Sequence, residues 1–163
     1  MDTKKILINS FKTGLDAVKP ENIIKNNLPK PPKGRTFVIG AGKAAASMAK
    51  AIEINWPKNL PLNGSVITRY KHSLKTKKIK IYEPGHPMPD TSGMKVASNF
   101  ISNIRNLDSN DLLLCLISGG GSSLMSVPQN GLNMNDLRHV TKNLLNSGAE
   151  ISEINTVRKH LSK

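Results

Sequence analysis

Arg35-Thr36-Phe37-Val38-Ile39-Gly40-Ala41-Gly42-Lys43-Ala44-Ala45-Ala46 is the stretch whose reading decides the architecture. Arg35–Ile39 is rich in β-branched and aromatic side chains and predicts a strand. Ala44–Ile54 is built of strong helix formers and predicts a helix that begins at the glycines. A strand entering a helix through a glycine turn is the opening unit of an α/β fold, and a second segment repeats its ending. Asp111–Ser118 contains the unbroken apolar run Leu-Leu-Leu-Cys-Leu-Ile, which predicts a central parallel strand buried on both faces. It too ends in glycine, as Ser118-Gly119-Gly120-Gly121-Ser122-Ser123.

The flanking segments fill in the alternation. Leu7, Phe11, Leu15 and Val18 recur at spacings of four, four and three, the stripe of an amphipathic helix over residues 3–18 that Pro20 ends. Asn26–Gly34, with three prolines, predicts a loop. Gly64–Tyr70 and Ile79–Glu83 predict short strands, joined by a Lys-rich linker too short for a helical crossover; the pattern leaves open whether they pair or lie apart. Asp90 or Thr91 caps a helix carrying Met94, Ala97, Ile101 and Ile104. Asn135 caps another through Asn146, with Gly148 past its end, and Ser152 caps the last through Arg158. The expectation is one three-layer α/β/α domain over residues 1–163 with a mostly parallel, Rossmann-like sheet. The last helix has no glycine, proline or polar tail after it, so the chain is expected to be the N-terminal fragment of a two-domain enzyme.

A net charge of +13 raises the possibility of a nucleic-acid binder. Its distribution argues otherwise. Residues 1–80 hold 17 Lys/Arg against 4 Asp/Glu, residues 81–163 hold 7 of each, and the excess is spread over several elements. Lysine outnumbers arginine 19 to 5, and two Tyr with three Phe offer little for base stacking. No apolar run approaches the ~20 residues of a membrane span, and Met1–Ile8 is too short and polar for a secretory signal. A cytoplasmic protein with no membrane contact is expected. Its single cysteine, Cys115, is expected to pack as a small hydrophobe.

The candidate chemistry lies in the turns. Open α/β sheets bind ligands at the C-terminal ends of their strands, where helix N-termini offer N–H groups to anions. Gly40-Ala41-Gly42-Lys43 lacks the spacer and Ser/Thr of a Walker A loop but fits G-x-G-x-x-A through Ala45. The ribose-binding acid of an NAD site is absent, and Thr68-Arg69 stands there instead. An arginine can accept a 2′-phosphate, which keeps an NADP-dependent reductase as the rival reading. Lys43, expected in the first helical turn, is a cation where the helix dipole disfavours one unless an anion joins it. The three glycines of the second turn lack packing value and can form an anion nest, with hydroxyls from Ser118, Ser122 and Ser123 as further donors. It is not a G-x-S-x-G nucleophile elbow. Three prolines in the loop from Glu83 to Gly93 fix His86 and Asp90, as ligand contacts or as a structural histidine and a helix cap. Asn155, Arg158 and Lys159 share adjacent helical faces. No histidine or cysteine spacing suggests a metal site of the protein's own.

Taken in order, Val38-Ile39-Gly40-Ala41-Gly42-Lys43-Ala44-Ala45, Pro84-Gly85-His86-Pro87 with Pro89-Asp90, Leu116-Ile117-Ser118-Gly119-Gly120-Gly121-Ser122, and Glu153-Ile154-Asn155-Thr156-Val157-Arg158-Lys159-His160-Leu161-Ser162 resemble the class II glycerate 2-kinases. Some members of that MOFRL-associated family are labelled hydroxypyruvate reductases, and members typically have alanine at the position of Ser123. The resemblance implies transfer of the ATP γ-phosphoryl group to the 2-hydroxyl of D-glycerate, with Mg²⁺, in a cleft against a C-terminal domain that lies outside these residues. It implies Lys43 as the catalytic charge partner. It further implies that the Ser118–Ser123 loop and Arg158 line the same cleft and that a second-domain arginine faces Lys43. Together with the turns and loop read above, the candidate substrate- or phosphate-binding positions are Gly40, Gly42, His86, Asp90, Ser118, Gly119, Gly120, Gly121, Ser122, Ser123, Asn155 and Arg158.

Overall fold

The structure, a computed structural model, describes residues 2–84 and 91–163. In chain order these form α1 (Thr3–Ala17), α2 (Pro20–Asn27), β1 (Thr36–Ala41), α3 (Ala45–Asn55), β2 (Leu62–Ile67), β3 (Ile79–Tyr82), α4 (Thr91–Ile104), β4 (Leu112–Ile117), α5 (Gly121–Leu124), α6 (Met134–Asn146) and α7 (Ile151–Leu161). The four strands make one parallel sheet in the order β3-β2-β1-β4.

Alternation along β1 builds the two outer layers. Val38 faces α3, where Ala45, Ala49 and Ile52 pack against it with Trp56 and Val66. Small residues on α3 let the helix lie close to the sheet. Ile39 and Ala41 face the other way and meet Val96 and Phe100 of α4 and Leu124 of α5. Complete burial of side chains such as Val38, Val66, Ile67 and Ile79 stabilises the fold by roughly 1.5–3 kcal/mol each. The sheet's lower rim is pinned where β1 and β4 begin. The Arg35 N–H donates to Asp111 Oδ1 (2.9 Å) and the Arg35 Nε–H to Oδ2 (3.1 Å). The Arg35 backbone donor, working against burial, holds the Asp111 carboxyl below its ordinary pKa.

Several elements differ from their sequence expectation, for physical reasons. Pro20 ends the first helix but also opens α2, because a residue without an N–H costs nothing in a first turn. None of α1 is buried, and its stripe of Leu7, Phe11, Leu15 and Val18 faces solvent. Strands β2 and β3 do pair directly, in parallel. Their non-helical crossover is held by two carboxylates: Glu53 accepts from the N–H groups of Lys77, Lys78 and Ile79, and Glu83 from those of His72 and Ser73. The cap of α6 is Asn133 rather than Asn135, and that of α7 is Glu150, whose N–H donates to Glu153, rather than Ser152.

The largest difference is β4. Its apolar run led to the expectation of a central strand, yet among the described residues it pairs only with β1 and forms an edge. Ile117 is 57% exposed and Cys115 is exposed rather than packed. Apolar content reports that a strand's faces are meant to be covered, not which neighbours stand beside it. At the opposite edge, β3 and its approach carry Lys75, Lys77, Lys78 and Lys80, the charged protection expected of a strand left open to solvent. Among the described residues no helix is long and apolar enough to cross a membrane.

Candidate active site

The connection from β1 to β2 runs through α3 on one face of the sheet, and that from β3 to β4 through α4 on the other. Between β1 and β4 the chain therefore diverges in opposite directions, and the C-terminal ends of these strands lie side by side with Ala41 paired to Ile117. Such a switch point is where open α/β sheets leave a ligand crevice. Both glycine turns stand at it.

The turns touch. The Lys43 N–H donates to Gly119 O (2.9 Å), the Ala44 N–H to Ser118 Oγ (3.0 Å) and the Ser118 N–H to Ala41 O (3.1 Å). Gly42, at φ +134°, lies so close to Ser118 that any Cβ would collide with its hydroxyl and carbonyl. A third donor of the first turn, the Gly42 N–H, goes to Ile67 O (3.0 Å). The amides of residues 42–44 are thus engaged inside the protein. Gly40 belongs to β1, and a Cβ there would sit 2.6 Å from Leu116 O. Lys43 precedes Ala44, the N-cap of α3, so it lies just before the helix rather than in its first turn, and its side chain is exposed.

The second turn is different. Gly121 approaches Ala41 O, and its N–H returns to Ser118 O (3.2 Å). The Ser123 N–H and hydroxyl both donate to Gly120 O. The N–H groups of Gly119 and Gly120 have no protein acceptor among the described residues, and both glycines are exposed. Gly119 has open space where a Cβ would be and no left-handed backbone. Among the described residues nothing in the packing explains that glycine, and two successive N–H groups without an acceptor can serve as an anion nest.

On the other side of α5 is a cavity of about 560 Å³ lined by Ser122, Met125, Leu137, Asn155, Arg158 and Lys159 among others. It exists because the chain after α7 folds back onto the segment after α5. Gln129 N–H donates to Leu161 O, Lys163 N–H to Val127 O, and Val127 N–H to Ser162 Oγ. Arg158 Nη2 is buried there without a hydrogen-bond partner among the described residues. Burial lowers the pKa of this guanidinium from its ordinary value.

Ser122, Asn155 and Arg158 therefore share one cavity, while Gly119, Gly120 and Lys43 do not line it and lie at the strand ends. Sequence spacing did not single out Met125, Leu137 or Ser126, whose hydroxyl donates to Ser122 O (2.8 Å), because only the tertiary fold brings them together. His86 and Asp90 lie outside the described residues. At the end of β2, Arg69 Nε–H donates to His72 Nε2 (2.6 Å). No cluster of three His, Cys, Asp or Glu side chains suited to a metal occurs among the described residues.

Residues 6–163 match the family described as a domain of unknown function, DUF4147. A protein of Agrobacterium vitis named "Putative hydroxypyruvate reductase" is 43% identical over 162 residues, covering 99% of this chain and 37% of its own. The D-glycerate 2-kinase of Thermotoga maritima is 42% identical over 161 residues, covering 98% of this chain and 38% of its own. The crystal structure of a glycerate kinase from Thermotoga maritima superposes with a TM-score of 0.87 at 42% identity, over 98% of this chain and 38% of that one. The chain thus spans little more than a third of the length of these relatives.

Proposed function

Since this chain belongs to the DUF4147 family, we propose that it is the N-terminal domain of a two-domain glycerate 2-kinase, which transfers the γ-phosphoryl group of ATP to the 2-hydroxyl of D-glycerate. The observation that carries this reading is the pair of N–H groups at Gly119 and Gly120 with no acceptor among the described residues, set beside Lys43 where β1 and β4 end. Phosphoryl transfer asks little covalent chemistry of a protein and depends on positioning and on charge placed around the transferring group. The glycine nest binds phosphate oxygens through backbone donors that need no reorganisation. Lys43, held at its backbone by Gly119 and exposed at its side chain, neutralises charge that develops as the β,γ P–O bond breaks and the new P–O bond forms. The strand order 3-2-1-4 is that of the first four strands of doubly wound nucleotide-binding sheets, which also fits ATP. Mg²⁺ would come with the phosphates, since it is commonly held by one or two carboxylates plus phosphate oxygens rather than by an all-protein cage. The partner domain would close the crevice, and the enzyme would act in the cytoplasm on dissolved small molecules.

The names of the relatives divide between kinase and reductase, and one assay separates them. Protein expressed from the complete coding sequence is expected to form 2-phosphoglycerate and ADP from ATP and D-glycerate. NADPH-dependent reduction of hydroxypyruvate with no phosphoryl transfer would overturn the proposal. The 163-residue chain alone is expected to show no turnover.

A further inference from the structure

Arg158 presents a problem that the phosphate nest does not solve. One of its guanidinium nitrogens is buried with no acceptor among the described residues, and a buried donor left unpaired is costly. The walls around it do not supply the missing acceptor as a countercharge. Arg158, Lys159 and Lys163 are all among the lining residues, and no Asp or Glu is. The remaining walls include apolar groups, such as Met125 and Leu137, and neutral hydrogen-bonding groups, such as the amide of Asn155 and the hydroxyl of Ser122. A cationic fork inside a partly apolar chamber, with neutral hydrogen-bonding groups beside it, is the chemistry that selects a small organic anion.

We propose that the cavity between α5, α6 and α7 is the subsite for the carboxylate of the 2-hydroxy acid, with Arg158 as the residue that recognises it. The assignment deepens the kinase reading and rests on it. Carboxylate is favoured over phosphate because the chamber is partly apolar, and a singly charged carboxylate costs less to desolvate there than a more highly charged phosphate, while the guanidinium can hold it through two parallel N–H···O bonds. The solvent-open nest at Gly119–Gly120, with exposed Lys43, suits the more highly charged and more hydrated phosphates. Ser122 belongs to the short helix that follows the nest directly. An acid anchored at Arg158 and a phosphoryl group at Gly119–Gly120 would thus meet across one turn of chain. Asn155 and the Ser122 hydroxyl would orient the hydroxyl groups of the acid.

Two measurements test this. In the 163-residue chain, the Arg158 Nε–H resonance is followed by NMR during titration with D-glycerate, glycerol or inorganic phosphate. A shift with D-glycerate, none with glycerol, and loss of the D-glycerate response in Arg158→Gln are expected. An equal response to glycerol, a stronger one to phosphate, or a D-glycerate response that survives in Arg158→Gln would overturn the assignment. In the protein from the complete coding sequence, Arg158→Gln should raise KM for glycerate by about tenfold or more and leave KM for ATP within about twofold. Arg158→Lys, which keeps the charge and loses the fork, should fall between. A rise confined to the KM for ATP, or unchanged kinetics in an active kinase, would sink the carboxylate subsite alone. Absence of 2-phosphoglycerate formation, with the Arg158 resonance still selective for D-glycerate, would sink the kinase reading and leave the subsite standing.

Discussion

The two glycine turns at the switch point look alike in sequence and are opposites in structure. In the β1 turn every N–H from Gly42 to Ala44 is bonded within the protein, and Gly40 and Gly42 each have a neighbour that leaves no room for a Cβ. In the β4 turn, Gly120 is needed for its left-handed φ of +84° and Gly121 for its approach to Ala41, but Gly119 meets nothing. The contrast teaches that glycine at a strand end is not by itself a ligand signal. A turn whose donors are engaged is a buttress, and one whose donors lack an acceptor among the described residues, at a glycine that packing does not require, is on the proposed reading a receptor. Here the first turn supports the second and carries Lys43 to its side.

Substitutions should separate these roles. The largest effect is expected on stability from Gly42→Ala, which combines a strained φ with a collision against Ser118. It should lower the unfolding free energy by about 3 kcal/mol or more, and a denaturation midpoint equal to wild type would show that the two turns are not locked together. Next comes Lys43→Ala in the full-length enzyme, expected to reduce turnover by at least ~10²-fold with little change in thermal stability. Near-normal turnover would assign Lys43 to the surface. Gly119→Ala should keep the fold, because a Cβ there meets no atom. It should weaken ATP binding by about tenfold through crowding of the phosphate, and unchanged binding would take the nest out of the site.

The smallest effect concerns the rim far from the turns. Asp111 has a depressed carboxyl pKa in the folded state, so its contribution to stability is present in full above the unfolded carboxylate value near ~4. It is lost as pH falls through the lower folded value. Asp111→Asn should therefore be less stable than wild type at neutral pH, with the two melting curves converging in acid. A gap that stays constant down the acid limb would mean that the ionised form is not what pins Arg35.

How much of this was legible in the sequence follows from which interactions are local. Val38–Ile39 running into Gly40-Ala41-Gly42 announces a strand and a helix because β-branching and glycine act on their own backbone. The position of β4 was not legible, since Leu112–Ile117 records apolar faces and says nothing about an edge. Lys43 fell two residues short of α3 because Ser118, 74 residues away, supplies the group that bonds the Ala44 N–H. Arg158 and Asn155 could be named from their helix spacing, but Met125, Leu137 and Ser126 enter only when the end of the chain folds back on residues 127–129. That Gly119 rather than Gly42 has an unengaged amide depends on a tertiary hydrogen-bond count, which no local pattern encodes.

The most direct test is amide NMR of the 163-residue chain titrated with MgATP. The resonances of Gly119 and Gly120 should move first and furthest while those of Gly42 and Ala44, already bonded to Ile67 and Ser118, stay nearly still. Perturbation centred on Gly42–Ala44 with Gly119 and Gly120 unmoved would contradict the division between buttress and receptor.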